Sequence, residues 1–231
     1  MEAIILAGGL GTRLGELTRE LPKPMVPVRG RPFLEYLMDY WIQQGIRSFI
    51  LSVGYKHEAV SGHFGASYQS CPVRYCVEKQ PLGTGGGLVQ AVARLETPDP
   101  FLALNGDTFF AVTLAPLRAL LNTRGAEAVM ALFSVHDRDR YEGVELGEGG
   151  RITGFVPRDK KKPCPYANGG VYVMKPSLFH TVQQGERKSL ESDFLPEWVR
   201  SEKKIFGYPA DHTFIDIGTP EDYARADRVL I

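Results

Sequence analysis

Apolar positions along this chain follow two rhythms that alternate from the first residues onward. Short unbroken runs such as Ala3-Ile4-Ile5-Leu6 and Phe101-Leu102-Ala103-Leu104 have the length of buried strands and end in turn formers. Between such runs the apolar residues recur every three or four positions. After Pro32, Phe33, Leu37 and Trp41 form one stripe, with Leu34, Met38 and Ile42 beside it, which is a helix face directed at a core. The pattern predicts strands at about 2–7, 47–53, 72–77, 100–105, 127–135, 168–174 and 204–208. It predicts helices at about 32–44, 56–64, 84–94, 113–123, 191–200 and 219–229. Alternation of this kind favours an α/β fold with a mainly parallel sheet covered by helices. From about 136 to 167 the rhythm weakens and charge, glycine and proline rise, as in Arg138-Asp139-Arg140 and Lys160-Lys161-Lys162-Pro163. That stretch reads as an excursion from the sheet, forming one wall of a substrate site, within a single domain spanning 1–231.

Composition narrows the function. Lys+Arg and Asp+Glu are equal at 27 each, which argues against a dedicated nucleic-acid or anionic-membrane binder. The apolar fraction of 43% suffices for a full core. Cys71, Cys76 and Cys164 lack metal-ligand spacing and read as reduced structural thiols. The N-terminal apolar run is too short for a signal peptide, and no stretch has the length of a membrane span. The expectation is a cytoplasmic protein that acts on small molecules. A homo-oligomer is left open.

The strongest chemical signal is Leu6-Ala7-Gly8-Gly9-Leu10-Gly11-Thr12-Arg13-Leu14, followed by Pro22-Lys23-Pro24. A strand running into a glycine-rich loop offers backbone N–H groups to phosphate oxygens, and Arg13 and Lys23 supply cations. The ending is not Gly-Lys-Ser/Thr, which excludes a P-loop, and Leu14 stands where a dinucleotide fingerprint needs glycine. Proline on both sides of Lys23 restricts its backbone, which has little use in a solvated lysine.

Two acidic positions follow. Asn105-Gly106-Asp107 lies just past an apolar run, at the strand edge where open α/β sheets bind ligands. Asp216 lies between two isoleucines, before Gly218, with Thr219 as N-cap and Pro220 as first residue of a last helix. Together Asp107 and Asp216 make a plausible magnesium site, since Mg²⁺ is held by one or two carboxylates plus substrate phosphates and waters. No nucleophile elbow is present, and the five histidines are scattered. A reaction without a general base fits. A phosphomonoester, with a second pKa of about 6, arrives as a nucleophile already ionised. In-line attack of such a phosphate on the α-phosphorus of a nucleotide, expelling pyrophosphate, needs positioning and charge neutralisation only.

With these motifs in order, the chain resembles the sugar-1-phosphate nucleotidyltransferases over nearly its whole length. The opening loop, Pro22-Lys23-Pro24, Glu78-Lys79-Gln80-Pro81-Leu82-Gly83-Thr84-Gly85-Gly86, Asn105-Gly106-Asp107, Asn168-Gly169-Gly170-Val171-Tyr172 and Asp216-Ile217-Gly218-Thr219-Pro220 carry the resemblance. It implies a Rossmann-like mixed sheet of the nucleotide-diphospho-sugar transferase type, and dependence on Mg²⁺. It implies Arg13 on the triphosphate, Lys23 at the reacting centre, and metal on Asp107 and Asp216. Leu6, Ala7, Gly8, Gly9, Gly11, Thr12, Glu78, Pro81, Gly83, Thr84 and Gly106 are then the remaining nucleotide contacts. Within the family the chain is most similar to the branch that makes GDP-D-glycero-α-D-manno-heptose. Its short length, Pro32-Phe33-Leu34-Glu35-Tyr36-Leu37 and Ser189-Leu190-Glu191-Ser192-Asp193-Phe194-Leu195-Pro196 carry that likeness.

The family places position 78 at the nucleobase edge, with Gln in thymidylyl and many uridylyl members. A carboxylate only accepts hydrogen bonds, and guanine offers two adjacent donors, N1–H and the 2-amino group. Glu78 therefore favours GTP over UTP. On the sugar side the chain departs from the family's Phe-x-Glu-Lys, having Phe155-Val156-Pro157-Arg158. Arg158 is the expected sugar-phosphate cation, with Lys160, Lys161 or Lys162 as substitutes. Gly143, Asn168, Gly169 and Glu191 are the expected sugar contacts, Glu191 by accepting from two hydroxyls or else by N-capping its helix. Three alternatives stay open: a uridylyltransferase for N-acetylmuramic acid 1-phosphate, a mannose-1-phosphate guanylyltransferase, and a nucleotide-sugar-binding regulatory subunit.

Overall fold

The computed structural model describes residues 1–9, 11, 15, 18–135, 140–158 and 164–230. In chain order, β1 (Glu2–Leu6) leads through the loop to a 3-10 turn, Lys23–Met25, and a small hairpin, β2 (Pro27–Val28) and β3 (Arg31–Pro32). Next come α1 (Phe33–Gln43), β4 (Ser48–Val53), α2 (His57–Phe64), β5 (Ser67–Tyr68), β6 (Cys71–Val77) and α3 (Gly83–Val92). β7 (Phe101–Asn105), β8 (Thr108–Phe110), α4 (Leu114–Thr123) and β9 (Ala128–Ser134) complete the first part. The second part holds β10 (Gly143–Leu146), β11 (Ile152–Val156) and β12 (Tyr166–Met174). A π-helical turn, Leu190–Phe194, then leads into α5 (Leu195–Arg200), β13 (Ile205–Ala210), β14 (Phe214–Asp216) and α6 (Pro220–Val229).

β7, β1, β4 and β6 run parallel, with Ile4 opposite Ile50 and Ala103. β12 pairs antiparallel with β7 on one edge and with β9 on the other, and β13 lies parallel to β9. The sheet is therefore mixed, as expected. Alternation along its strands divides the core in two. Ile5, Leu51 and Leu104 face α1 and pack with Leu34, Leu37 and Trp41. Ile4, Ile50 and Ala103 face the other way, onto Leu88 of α3 and Trp198 of α5. Burying a leucine or phenylalanine of this kind is worth about 1.5–3 kcal/mol, so these two layers hold the strands in place.

One expectation needs correction. The stretch expected to leave the sheet rejoins it: β10 and β11 form an antiparallel hairpin, and Gly143 pairs with Ala167 of β12. Val144, Ile152 and Val156 are buried, so the hairpin extends the sheet at one edge. Its strands are four and five residues long, too short to show a period through the surrounding glycine and charge.

Candidate active site

The backbone builds the site at the carboxyl ends of β1 and β7. The Gly106 N–H donates to the Leu6 carbonyl at 2.9 Å, and the Ala7 N–H donates to the Ser52 carbonyl at 2.7 Å. The glycine loop and the Asn105-Gly106-Asp107 turn are thus tied side by side. A cleft of about 440 Å³ opens there. It is lined by Leu6, Ala7, Gly8, Gly9 and Gly11 of the loop and by Glu78, Pro81, Gly83 and Thr84 of the middle motif. Gly11 has φ +65°, and a Cβ there would meet the Lys23 side chain at 2.9 Å. Gly8 has a comparable constraint: its Cβ would lie 2.8 Å from Glu78 Oε1. Thr12 and Arg13 fall outside the described residues.

Lys23 is the centre of the charge arrangement. It sits in the 3-10 turn after Pro22 and is only 6% exposed, as its proline flanks suggested. Its Nζ donates to Asp107 Oδ2 at 2.6 Å and lies 3.6 Å from Asp216 Oδ1. The two aspartates, more than a hundred residues apart, meet because β14 pairs antiparallel with β8, setting Asp216 opposite Thr108. The Ile217 N–H closes the pair by donating to the Asp107 carbonyl at 3.0 Å. Thr219 caps α6 with Pro220 at its first position, as expected.

Two carboxylates gathered around Lys23, with Asp107 lining the cleft, suit a hard divalent cation. Asn105 lines the same cleft, and its Oδ1 is buried without a hydrogen-bond partner among the described residues, a further oxygen donor. Among the described residues no three His, Cys, Asp or Glu side chains cluster. The donor set therefore fits Mg²⁺, which takes few protein ligands and completes its shell with substrate oxygens and water.

Glu78 lines the cleft with both oxygens engaged: Ser52 Oγ donates to Oε1 at 3.2 Å and the Leu82 N–H to Oε2 at 3.0 Å. Each oxygen retains a second lone pair. The middle motif's glycines do a different job from the loop's. The Lys188 carbonyl accepts from the N–H groups of Gly85 and Gly86, and a Cβ on Gly86 would lie 2.4 Å from the Glu186 carbonyl oxygen. Close packing of α3 against the 186–190 segment explains them.

The residues expected on the sugar side do not line this cleft. Asn168 and Gly169 sit in a bulge where β12 slips against β9. The Asn168 amide is already engaged: Oδ1 accepts from the Gly170 N–H at 2.9 Å and Nδ2 donates to the Tyr172 hydroxyl at 2.5 Å. Burial pushes that hydroxyl well above its ordinary pKa, so it remains protonated. Glu191 does not cap its helix. Ser189 does, accepting from the Ser192 N–H at 3.0 Å. Glu191 Oε2 instead accepts from Thr84 Oγ at 2.6 Å and Ser189 Oγ at 3.1 Å, which joins the acceptor side to the cleft. Gly143 is buried in its strand pairing and Arg158 is exposed just beyond β11. Lys160, Lys161 and Lys162 lie outside the described residues.

Sequence reasoning missed Arg187, an exposed cation that lines the cleft. It stands in a polar stretch with no periodic signal, and only its place four residues before Glu191 hinted at a role. The three cysteines are free and buried, and burial pushes the Cys76 thiol up, away from reactivity.

Residues 2–230 match the Nucleotidyl transferase family, to which the chain belongs. It is 40% identical to the D-glycero-alpha-D-manno-heptose 1-phosphate guanylyltransferase of Aneurinibacillus thermoaerophilus, covering 100% of this chain and 98% of that one. The enzyme of the same name from Campylobacter jejuni is 38% identical, with coverage of 96% and 97%. The crystal structure of HddC from Yersinia pseudotuberculosis, complexed with GMP-PN, superposes with a TM-score of 0.82 at 30% identity over 98% of both chains.

Proposed function

We propose that the chain transfers GMP from GTP to D-glycero-α-D-manno-heptose 1-phosphate, giving GDP-heptose and pyrophosphate. The observation that carries the reading is Lys23 held between Asp107 and Asp216 at a cleft rimmed by the glycine loop. An oxygen of the acceptor phosphate, already dianionic, bonds to the α-phosphorus of GTP. The bridge to the β-phosphorus breaks, and pyrophosphate leaves with the electron pair, so no side chain has to move a proton. Lys23, with Arg13 and Arg187, balances the phosphate charge. Asp107 and Asp216 would hold Mg²⁺, which supplies further neutralisation and polarises phosphoryl oxygens. Glu78 faces the base and selects guanine through its two donors. The heptosyl acceptor rests on the two full-length relatives of that name. The free cysteines support a cytoplasmic setting.

The test is pyrophosphate release from GTP, UTP, ATP and dTTP against heptose, mannose and N-acetylmuramic acid 1-phosphates with Mg²⁺. Turnover is expected for GTP with the heptose phosphate. UTP as the productive nucleotide would overturn the base assignment, and mannose 1-phosphate as the better acceptor would overturn the sugar. No turnover with any pair would favour a binding subunit.

A further inference from the structure

Ser52 is the one fully buried hydroxyl in a strand otherwise filled by Phe49, Ile50, Leu51 and Val53. A buried hydroxyl is costly unless it is hydrogen-bonded, so its presence there asks for a partner. Its partner is the carboxylate expected to read the base: Ser52 Oγ donates to Glu78 Oε1 at 3.2 Å. The space around this contact is reserved for it. A Cβ on Gly87 would lie 2.7 Å from Glu78 Oε1 and 3.0 Å from Ser52 Oγ, and one on Gly8 would lie 2.8 Å from the same Oε1. With the Leu82 N–H on Oε2, the carboxylate is pinned at both oxygens.

We infer that Ser52 is a positioning residue for nucleobase choice: its hydroxyl fixes the Glu78 carboxylate so that both oxygens can accept from guanine. Ser52 has no exposed surface and acts only through Glu78. The inference rests on the reading of Glu78 under the proposed function. A carboxylate free to turn about its last bond would keep one acceptor on N1–H and lose the simultaneous contact with the 2-amino group. Inosine triphosphate lacks that amino group and isolates this contact.

The experiment compares pyrophosphate release from GTP and inosine triphosphate in the wild type, Ser52→Ala, Ser52→Thr and Glu78→Gln. Ser52→Ala should lower the GTP-to-inosine-triphosphate ratio of kcat/KM about fivefold, through KM for GTP with kcat little changed. Ser52→Thr, which keeps the hydroxyl, should restore it. An unchanged ratio, or equal losses with both nucleotides, overturns the inference. If Ser52→Ala does not fold by circular dichroism, Ser52→Cys, of similar volume and a weak donor, gives the same reading. Glu78→Gln separates the two claims. If it leaves the ratio unchanged, Glu78 does not read the base and both fall. If it shifts the ratio while the Ser52 variants do not, only the role of Ser52 falls.

Discussion

The proposed phosphate corner and the proposed acceptor wall of this molecule are built by different means. At the phosphate corner the backbone carries the geometry. Parallel strands β1 and β7 set the loop and Asp107 side by side, the β8–β14 pair brings Asp216 across, and the buried Lys23 ties both carboxylates. On the acceptor wall, side chains hold side chains. Asn168 is oriented by a bulge and a tyrosine, Glu191 by two hydroxyls, and the β10–β11 hairpin meets β12 through a single residue pair. Chemistry shared by a family needs one geometry, and ladders of backbone hydrogen bonds supply it. Recognition of one acceptor among many is better served by side chains that can change without breaking a strand.

The sharpest way to break the comparison is to change charge at the corner without changing shape. Asp107→Asn and Asp216→Asn should each lower kcat/KM at least about a hundredfold, as removal of a group that stabilises developing charge does. Circular dichroism should show a folded protein in both. Activity within a few-fold of wild type in either variant would remove that residue from the metal-binding pair.

A smaller effect is expected at the seam between the two regions, where α3 packs on the 186–190 segment. Gly86→Ala tests it, because two effects compete. Alanine is favoured over glycine inside a helix by about 1 kcal/mol. Against that, the new methyl would sit 2.4 Å from the Glu186 carbonyl oxygen and 2.9 Å from Leu82 Cβ. Overpacking costs about 1–3 kcal/mol, and a backbone carbonyl cannot turn aside as a flexible side chain can. The clash should win, lowering Tm by several degrees, and should raise KM for both substrates by displacing Arg187. A rise in Tm would show that the seam is loose.

The two regions also differed in how far the chain itself disclosed them. Lys23 was readable because proline flanks imply a fixed backbone, and Asp107 because an apolar run ends just before it. All seven expected strands and six helices have counterparts, since strands buried on both faces leave unbroken apolar runs and striped helices leave a strong period. What brings Asp216 to Asp107 was not readable: β8 and β14 have three residues each, and their pairing spans about half the chain. Arg187 was missed for a related reason. It reaches the cleft through the packing of Gly83, Gly85 and Gly86 against the 186–190 segment, which the sequence does not disclose. The β10–β11 hairpin was lost in a stretch whose charge and glycine mask a period of two.

The smallest effect separates a surface-anchored pair from the buried one at Lys23. Arg140, where the acceptor-side segment begins, donates to Asp222 at the start of α6, and Thr219 Oγ donates to Asp222 Oδ2 at 2.9 Å. Burial alone would push the Asp222 carboxyl up, but the hydrogen bonds from Arg140 and Thr219 outweigh it and hold the carboxyl below its ordinary value of 3.8. A carboxyl lowered in the folded state adds stability above its unfolded pKa and loses it as pH falls through the folded one. Arg140 is about 40% exposed on its side chain, so solvent screens the pair and its worth is about 0.5–1 kcal/mol. Arg140→Leu should therefore lose about that much in urea unfolding at pH 7. The gap to wild type should close between about pH 5 and about pH 2 as Asp222 takes up its proton. A gap that stays constant across this range would mean that Arg140 contributes by packing on Tyr141, whose ring centroid lies 5.4 Å from its guanidinium carbon, and not by charge.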